Sequence, residues 1–244
     1  MISIIIPTLN EERFLPSLLE SIKKQNFRDY EIIVADAGSE DRTREIAAFY
    51  GCRIVEGGLP AKGRNEGAKI AKGEILFFLD ADTLLPQNDF LNNAIAEFQG
   101  RKLDVATFCL IPFPLKRKSS LLFNLFYNNI ILASEKFLPH AATGILVKRE
   151  IFEKIGGFDE EIKLAEDHSF VRLATRKFSA RFGIIKSHRL FVSDRRFTTD
   201  GWVKTGFKFL LCELHLILVG PVKSDIFKYR FNHYKKGRPP FLEI

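Results

Sequence analysis

The first hundred residues alternate two hydrophobic periods. Residues 2–6 are rich in isoleucine and predict a buried strand that Pro7 and Thr8 end. Asn10 is placed to cap a helix whose inward face is Phe14, Leu15, Leu18, Leu19 and Ile22. Residues 31–35 read as a second strand ending at Asp36. Ser39 or Asp41 then caps a helix carrying Thr43, Ile46, Ala47 and Phe49. Residues 52–56 form a third strand, 63–73 a short helix ending at Gly73, and 75–79 a fourth strand. Strands that alternate with helices predict an α/β fold built on a largely parallel sheet with right-handed crossovers.

The second half is less regular. Residues 105–111 predict a strand that stops at the Pro-Phe-Pro of 112–114. Residues 119–138 read as helical with a very apolar surface, and 142–160 as a short strand, a helix and a Gly-Gly turn. A helix follows over 166–178, then strands over 182–185 and 190–192. Residues 200–219 are helical and rich in Phe and Leu, and the tail over 223–240 is basic and aromatic. No internal repeat or low-complexity linker interrupts the chain.

Composition narrows the function classes. The net charge of +7 favours an anionic partner: nucleic acid, anionic lipid or a phosphorylated small molecule. Phenylalanine is abundant, 24 residues against one Trp and one Met, and many lie beside Lys and Arg in the second half. Cys52, Cys109 and Cys212 are widely spaced, which suggests neither a disulfide framework nor a zinc site. The apolar run at the N-terminus is too short for a signal peptide, so the expected location is cytoplasmic. The glycine fingerprints of dinucleotide sites and P-loops are absent from the sequence.

The candidate chemistry sits at strand ends. In open parallel sheets ligands gather outside the carboxyl ends of the strands, and Thr8, Asp36 and Asp80 each stand just past one. In the stretch EILFFLDADTLLP, residues 74–86, an apolar run leads straight into Asp80, with Asp82 one small residue further on. Two carboxylates so close repel each other. A hard divalent cation, Mg²⁺ or Mn²⁺, removes that penalty, and such ions typically bind one or two carboxylates together with substrate phosphates. The structural alternative is that Asp82 caps a helix or shapes a turn.

Four ordered stretches change the weight of that pair: IIIPTLNEE at the start, VADAGSEDRT at 34–43, GRNEGAKIAKGEILFFLDAD at 63–82 and GGFDEEIKLAEDHSF at 156–170. Together they resemble the family 2 glycosyltransferases of the GT-A fold, over residues 1 to about 195. The resemblance implies a Rossmann-like mixed, mostly parallel sheet flanked by helices. Residues 1–198 would form the transferase domain, with a nucleotide-binding half over 1–100 and an acceptor-binding half over 101–198; residues 199–244 would be an apolar and basic helical extension. It implies an inverting enzyme that moves a hexose from a UDP- or GDP-sugar to an acceptor, with a divalent metal assisting departure of the diphosphate.

The implied roles fall on particular residues. Pro7, Thr8 and Glu11 line the nucleotide pocket, Asp36 accepts a hydrogen bond from the base, and Arg64 meets the base or phosphates. Asp80 lies near the ribose and metal, and Asp82 is the direct metal ligand. Asp167 is the base that deprotonates the acceptor, with Glu166 beside it. His188 is a candidate third metal ligand, set against a plain surface histidine. Arg195 and Arg196 are candidates to bind the donor diphosphate or a phosphorylated acceptor, set against a solvated pair.

The apolar stretches 119–137 and 201–222 carry Asn, Lys, Glu and His at positions that suit interfacial better than spanning helices. With Lys223, Lys228, Arg230, Lys235, Lys236 and Arg238 nearby, they suggest peripheral membrane contact and a lipid-linked acceptor. The plainer alternative is that they cover the sheet or form a dimer interface. Among other functions, a metal-dependent nucleotidyltransferase usually needs a Gly-rich N-terminal loop that PTLNEERF lacks. A non-catalytic membrane- or nucleic-acid-binding protein lacks a recognised binding motif, and nucleic acid is not an expected partner.

Overall fold

The computed structural model describes residues 1–113, 123 and 127–227. Its centre is a mixed sheet of eight described strands: β1 (Ile2–Thr8), β2 (Tyr30–Asp36), β3 (Arg53–Glu56), β4 (Ile75–Phe78), β5 (Thr83–Leu84), β6 (Val105–Phe113), β7 (Ile145–Lys148) and β8 (Phe182–Ser193). Their order is β3-β2-β1-β4-β7-β6-β8-β5. The first four run parallel, β7 is antiparallel to both β4 and β6, and β8 returns parallel to β6. This is the expected α/β architecture of mostly parallel strands with helices on both faces.

Why the strands read as nearly continuous apolar runs is now plain. Ile2, Ile4 and Ile6 of β1 pack on one side of the sheet with Leu15, Leu18, Leu19 and Ile22 of α1 (Leu15–Lys23) and with Phe90 and Leu91 of α4 (Phe90–Gly100). On the other side Ile5 packs with Ala61 and Ala68 of α3 (Pro60–Ile70) and with Phe78, Phe152 and Phe170. Both faces are covered, so alternation of polar and apolar residues is lost. The remaining described helices are α2 (Thr43–Phe49), α5 (Asn129–Ser134), α6 (Arg149–Ile155), α7 (Glu166–Phe178), α8 (Arg195–Asp200) and α9 (Trp202–Leu218).

Several expectations change. Helix α1 begins at Leu15 rather than after Asn10, because Asn10 takes a left-handed φ of 54° and its side chain accepts from the Glu40 backbone instead. Phe49 points outward at 83% exposure, although Thr43 and Ala47 are buried as expected. The two late strands are one, β8. Its pairing with β6 slips between Ile185↔Phe108 and Arg189↔Cys109, and the polar residues 186–188 fall in that bulge. The sequence shows the bulge as a gap. Asp82 leads into β5, not a helix, so the capping alternative is excluded. Of the predicted helix over 119–138, Asn129–Ser134 forms α5, while 119–122 and 124–126 lie outside the described residues, as does most of the tail over 223–240.

Gly67 shows how tightly α3 is laid on the sheet. A Cβ there would come within 2.4 Å of Ile5 Cγ2, inside a buried strand. Gly67→Ala is expected to destabilise the protein by about 1–3 kcal/mol through overpacking. Urea denaturation checks this; an unchanged midpoint would mean that α3 can slide on β1.

Candidate functional site

A cleft of about 560 Å³ opens along the ends of β1, β4 and β8. Its polar wall includes Pro7, Thr8, Glu11, Arg64, Asp80, Asp82, Glu166, Asp167, Arg195 and Arg196, so most of the predicted site residues meet there. An apolar wall continues through Leu110, Phe123, Tyr127, Phe197 and Phe209.

Arg64 organises the polar wall. It projects from α3, is only 3% exposed, and is no solvated helix residue. Its Nη2 donates to Asp80 Oδ1 at 2.9 Å and its Nη1 to Glu166 Oε1 at 2.5 Å. One cation thus ties the end of β4 to the start of α7. Burial disfavours the Arg64 charge, but Asp80, Glu166 and Asp167 outweigh it and raise its pKa. The Asp80 pKa is raised as well, which for a carboxyl disfavours the charged form. Burial pushes its carboxyl up, and Asp82 and Glu166 add repulsion that Arg64 does not fully cancel. Its backbone N–H donates to Thr143 Oγ1 at 3.2 Å, which fixes the turn.

A second guanidinium serves the neighbouring carboxylates. Arg195, at the start of α8, places Nε 2.7 Å from Asp82 Oδ2 and donates through Nη1 and Nη2 to the two oxygens of Glu11, each at 2.9 Å. Its guanidinium also lies 4.7 Å from the centre of the Phe14 ring. Glu11 and Asp82 are both buried, so this fork is an internal element of the site rather than a solvated pair. The sequence offers Arg195 to the donor diphosphate or a phosphorylated acceptor; its present partners are acidic residues 184 and 113 positions away, which no local pattern marks.

Asp36 is fully buried and is not among the cleft-lining residues. Its Oδ1 accepts from the Thr8 and Ser39 hydroxyls at 3.0 and 2.5 Å, and its Oδ2 from the Gly38 and Ser39 backbones at 3.2 and 2.9 Å. Burial raises its pKa, but these bonds and Arg44 hold it below the ordinary carboxylate range. A base N–H would have to displace one of those donors. His188 is not brought to the aspartates at all. It stands in the β8 bulge, with Nε2 3.2 Å from Asp89 Oδ1 and its ring against Phe90. The expected third ligand from His188 is therefore set aside: the bulge turns its ring toward α4.

Glu166 and Asp167 occupy the first turn of α7, entered through Ala165 at a left-handed φ of 60°. That turn aims both carboxylates into the cleft, where the helix N-terminus favours negative charge. Burial pushes Asp167 up to about 7, with Glu166 adding repulsion, while His168 and Arg64 pull the other way. A carboxyl at that value is poised to gain or lose a proton near neutrality. Beside it lies a cluster that the sequence did not reveal: His168, His140, Arg172 and Glu213. His168 Nδ1 stands 3.2 Å from Glu213 Oε2, and Arg172 donates to the other Glu213 oxygen.

Comparison with known proteins agrees with this geometry. Residues 3–156 match the family described as Glycosyl transferase family 2. EpsJ, an uncharacterized glycosyltransferase of Bacillus subtilis (strain 168), is 30% identical over 196 residues, which is 72% of this chain and 56% of EpsJ. The chain thus spans little more than half the length of that relative. The crystal structure of S. aureus TarS 1-349 in complex with UDP-GlcNAc has a TM-score of 0.63 at 23% identity, covering 88% of this chain and 66% of that one. The mannosyltransferase PcManGT of Pyrobaculum calidifontis, solved with GDP-Man and Mn²⁺, has a TM-score of 0.69 at 22% identity, covering 87% and 61%. The matched region contains β1, β2, β4, Arg64 and the paired aspartates, and the chain belongs to glycosyltransferase family 2, with the GT-A fold.

Proposed function

We propose that the protein is an inverting glycosyltransferase that moves a hexose from a UDP- or GDP-sugar to an acceptor hydroxyl or phosphate. The observation that carries this reading is the convergence of Asp80, Asp82 and Asp167 on one cleft, each paired with or facing a cationic or imidazole group. Residues 1–100 hold the nucleotide, residues 101–198 shape the acceptor side, and residues 199–244 extend from them.

The donor end suits a divalent metal. Asp80 and Asp82 offer hard oxygen ligands, and Asp82 becomes available once Arg195 moves off it. Asp82 and Asp80 would hold such an ion, and when bound it would supply positive charge to a departing diphosphate. Pro7, Thr8 and Glu11 border the nucleotide. Asp36 holds the Thr8 and Ser39 side chains in place, and it reaches the base itself only if the 38–39 turn opens. Arg64 keeps Asp80 in position; Arg195 yields Asp82 and, with Arg196, meets the phosphates.

At the acceptor end Asp167 takes the proton from the attacking hydroxyl. The acceptor oxygen bonds to the anomeric carbon from the face opposite the leaving group, and the bond to the diphosphate breaks with its electron pair. A single displacement of this kind inverts the configuration. Glu166 stays on Arg64 and fixes the turn.

The acceptor is lipid-linked in this reading, and the protein meets it peripherally at the membrane. Helix α9 exposes Val203, Phe207, Leu210, Leu214 and Ile217 at spacings of three and four, a continuous apolar stripe. Among the described residues no helix is long and apolar enough to cross a membrane. Lys223 is held by Asp159 and Glu161, at 3.3 and 2.6 Å, so its contribution to lipid contact is reduced.

Four outcomes are expected. A nucleoside diphosphate with Mn²⁺ should raise the melting temperature of the native protein, and Asp82→Asn should abolish the metal-dependent part. Asp167→Asn should keep that response and lose about 10²–10⁴-fold in transfer. Because Asp167 works only when ionised and its pKa is raised to about 7, turnover should fall as pH drops through 7; a plateau down to pH 5 would exclude Asp167 as the base. Flotation with anionic liposomes should carry the protein upward, and Phe207→Ser with Leu214→Ser should leave it in the soluble fraction. A wild-type protein that does not float contradicts the membrane assignment.

A further inference from the structure

We infer that Glu213 and His168 are positioning residues for sugar transfer, linking helix α9 to Asp167 through a Glu213–His168 hydrogen bond and a longer contact from the His168 ring to Asp167. The inference rests on Asp167 being the base. It gives the C-terminal helix a part in the chemistry beyond any membrane contact.

Glu213 is the one acidic residue of helix α9. Thr205, Cys212 and Leu216 are the residues of α9 buried against the body, and Glu213 turns the same way, into the cleft. Its two oxygens are separately engaged: Arg172 Nη2 donates to Oε1, and His168 Nδ1 lies 3.2 Å from Oε2. Burial raises its pKa, but His168 and Arg172 prevail and push it down to about 2, so Glu213 is ionised at all working pH.

A permanent carboxylate decides the state of its partner. It can only accept, so His168 Nδ1 must carry the hydrogen between them. The other ring nitrogen is then turned to Asp167: His168 Nε2 lies 3.8 Å from Asp167 Oδ1. The backbone N–H of His168 donates to the same oxygen at 2.8 Å. Both contacts fall on Oδ1, which orients the carboxyl and leaves Oδ2 to receive the acceptor proton. The His140 ring lies 3.8 Å from that of His168, between centres, and limits its rotation.

Other charged and titratable groups around Asp167 and His168 are accounted for. Glu166 and Arg64 face Asp167 from its own turn and from α3. Tyr127 lines the same cleft, Arg172 stands behind Glu213, and Cys212 adjoins it on α9. A salt bridge that only pinned α9 to α7 would need Glu213 and Arg172 alone. It would not place an imidazole between Glu213 and the base. His140, His168 and Glu213 also have ligand atoms near enough for a metal ion. The Arg172 guanidinium already bound to Glu213 opposes a second positive charge there.

The test compares Glu213→Gln, Glu213→Asp and His168→Asn in the full chain. Thermal stabilisation by UDP or GDP with Mn²⁺ reports the donor half, and release of nucleoside diphosphate from the sugar nucleotide reports turnover. Glu213→Gln should lower kcat by roughly tenfold or more, a part of the 10²–10⁴ a general base is worth, with the donor KM and the thermal response kept. Glu213→Asp should recover most of the loss. The acid limb of the pH profile should move upward in His168→Asn, because Asp167 loses the pull of His168 that opposes its burial. The double variant should be no worse than either single one, since the two act as one chain.

An unchanged kcat in Glu213→Gln overturns the inference, as does a kcat loss that Glu213→Asp fails to relieve. Loss of the nucleotide response in parallel with kcat assigns Glu213 a merely structural role and also overturns it. If Glu213→Gln does not fold, His168→Asn, which keeps the Glu213–Arg172 pair, carries the same comparison. Co-purifying zinc that disappears in His140→Ala would make the cluster a metal site instead. Normal turnover in Asp167→Asn removes the base assignment itself, a failure distinct from wild-type turnover in Glu213→Gln.

Discussion

One buried cation holds the site together. Arg64 sits inside the protein and divides its guanidinium between Asp80, at the end of β4, and Glu166, at the start of α7. Remove it and two carboxylates face each other across a low-dielectric cleft. Breaking a buried pair in this way typically costs about 3–5 kcal/mol, because the remaining charge is left uncompensated. The rest of the polar wall depends on that arrangement. With Asp80 and Glu166 fixed, Asp82 and Asp167 follow by chain connectivity, each close to its neighbour in sequence.

The sheet explains why those residues can meet. Four parallel strands deliver β1 and β4 to one edge, and the antiparallel β7 then lets the chain return so that β8 ends beside the same edge. Helix α7 starts where β4 stops. The result brings negative groups from three segments together, which would be unfavourable without Arg64 and Arg195. Both arginines are anchored by more than charge: Arg195 lies over Phe14, and Arg64 lies 5.3 Å from the Phe158 ring centre. The aromatic residues abundant in this chain thus support the charged ones.

What was legible in the sequence was local. The paired aspartates stand one residue apart at a strand end, and the Glu166–Asp167 turn opens a helix whose bounds the apolar period gives. The strand alternation of the first hundred residues carried the fold. What was not legible required distance. Arg64 and Glu166 are 102 positions apart, Arg195 and Glu11 184, and His168 and Glu213 45. Nothing in a one-dimensional pattern marks those partners. The bulge in β8 hid a single long strand behind three polar residues, and it carried His188 away from the aspartates. Asp36, read as a ligand for the base, is consumed by its own turn because Thr8 and Ser39 fold back onto it.

The account depends on where a divalent ion and a diphosphate settle. Anomalous diffraction from a crystal of the native protein with Mn²⁺ and a nucleoside diphosphate tests this directly. The account predicts one manganese peak bound by Asp82 and Asp80 and by the diphosphate, with Arg195 withdrawn from Asp82 and Arg64 still joining Asp80 to Glu166. A peak at His140, His168 and Glu213, or a diphosphate bound with Arg195 still seated on Asp82, would contradict it.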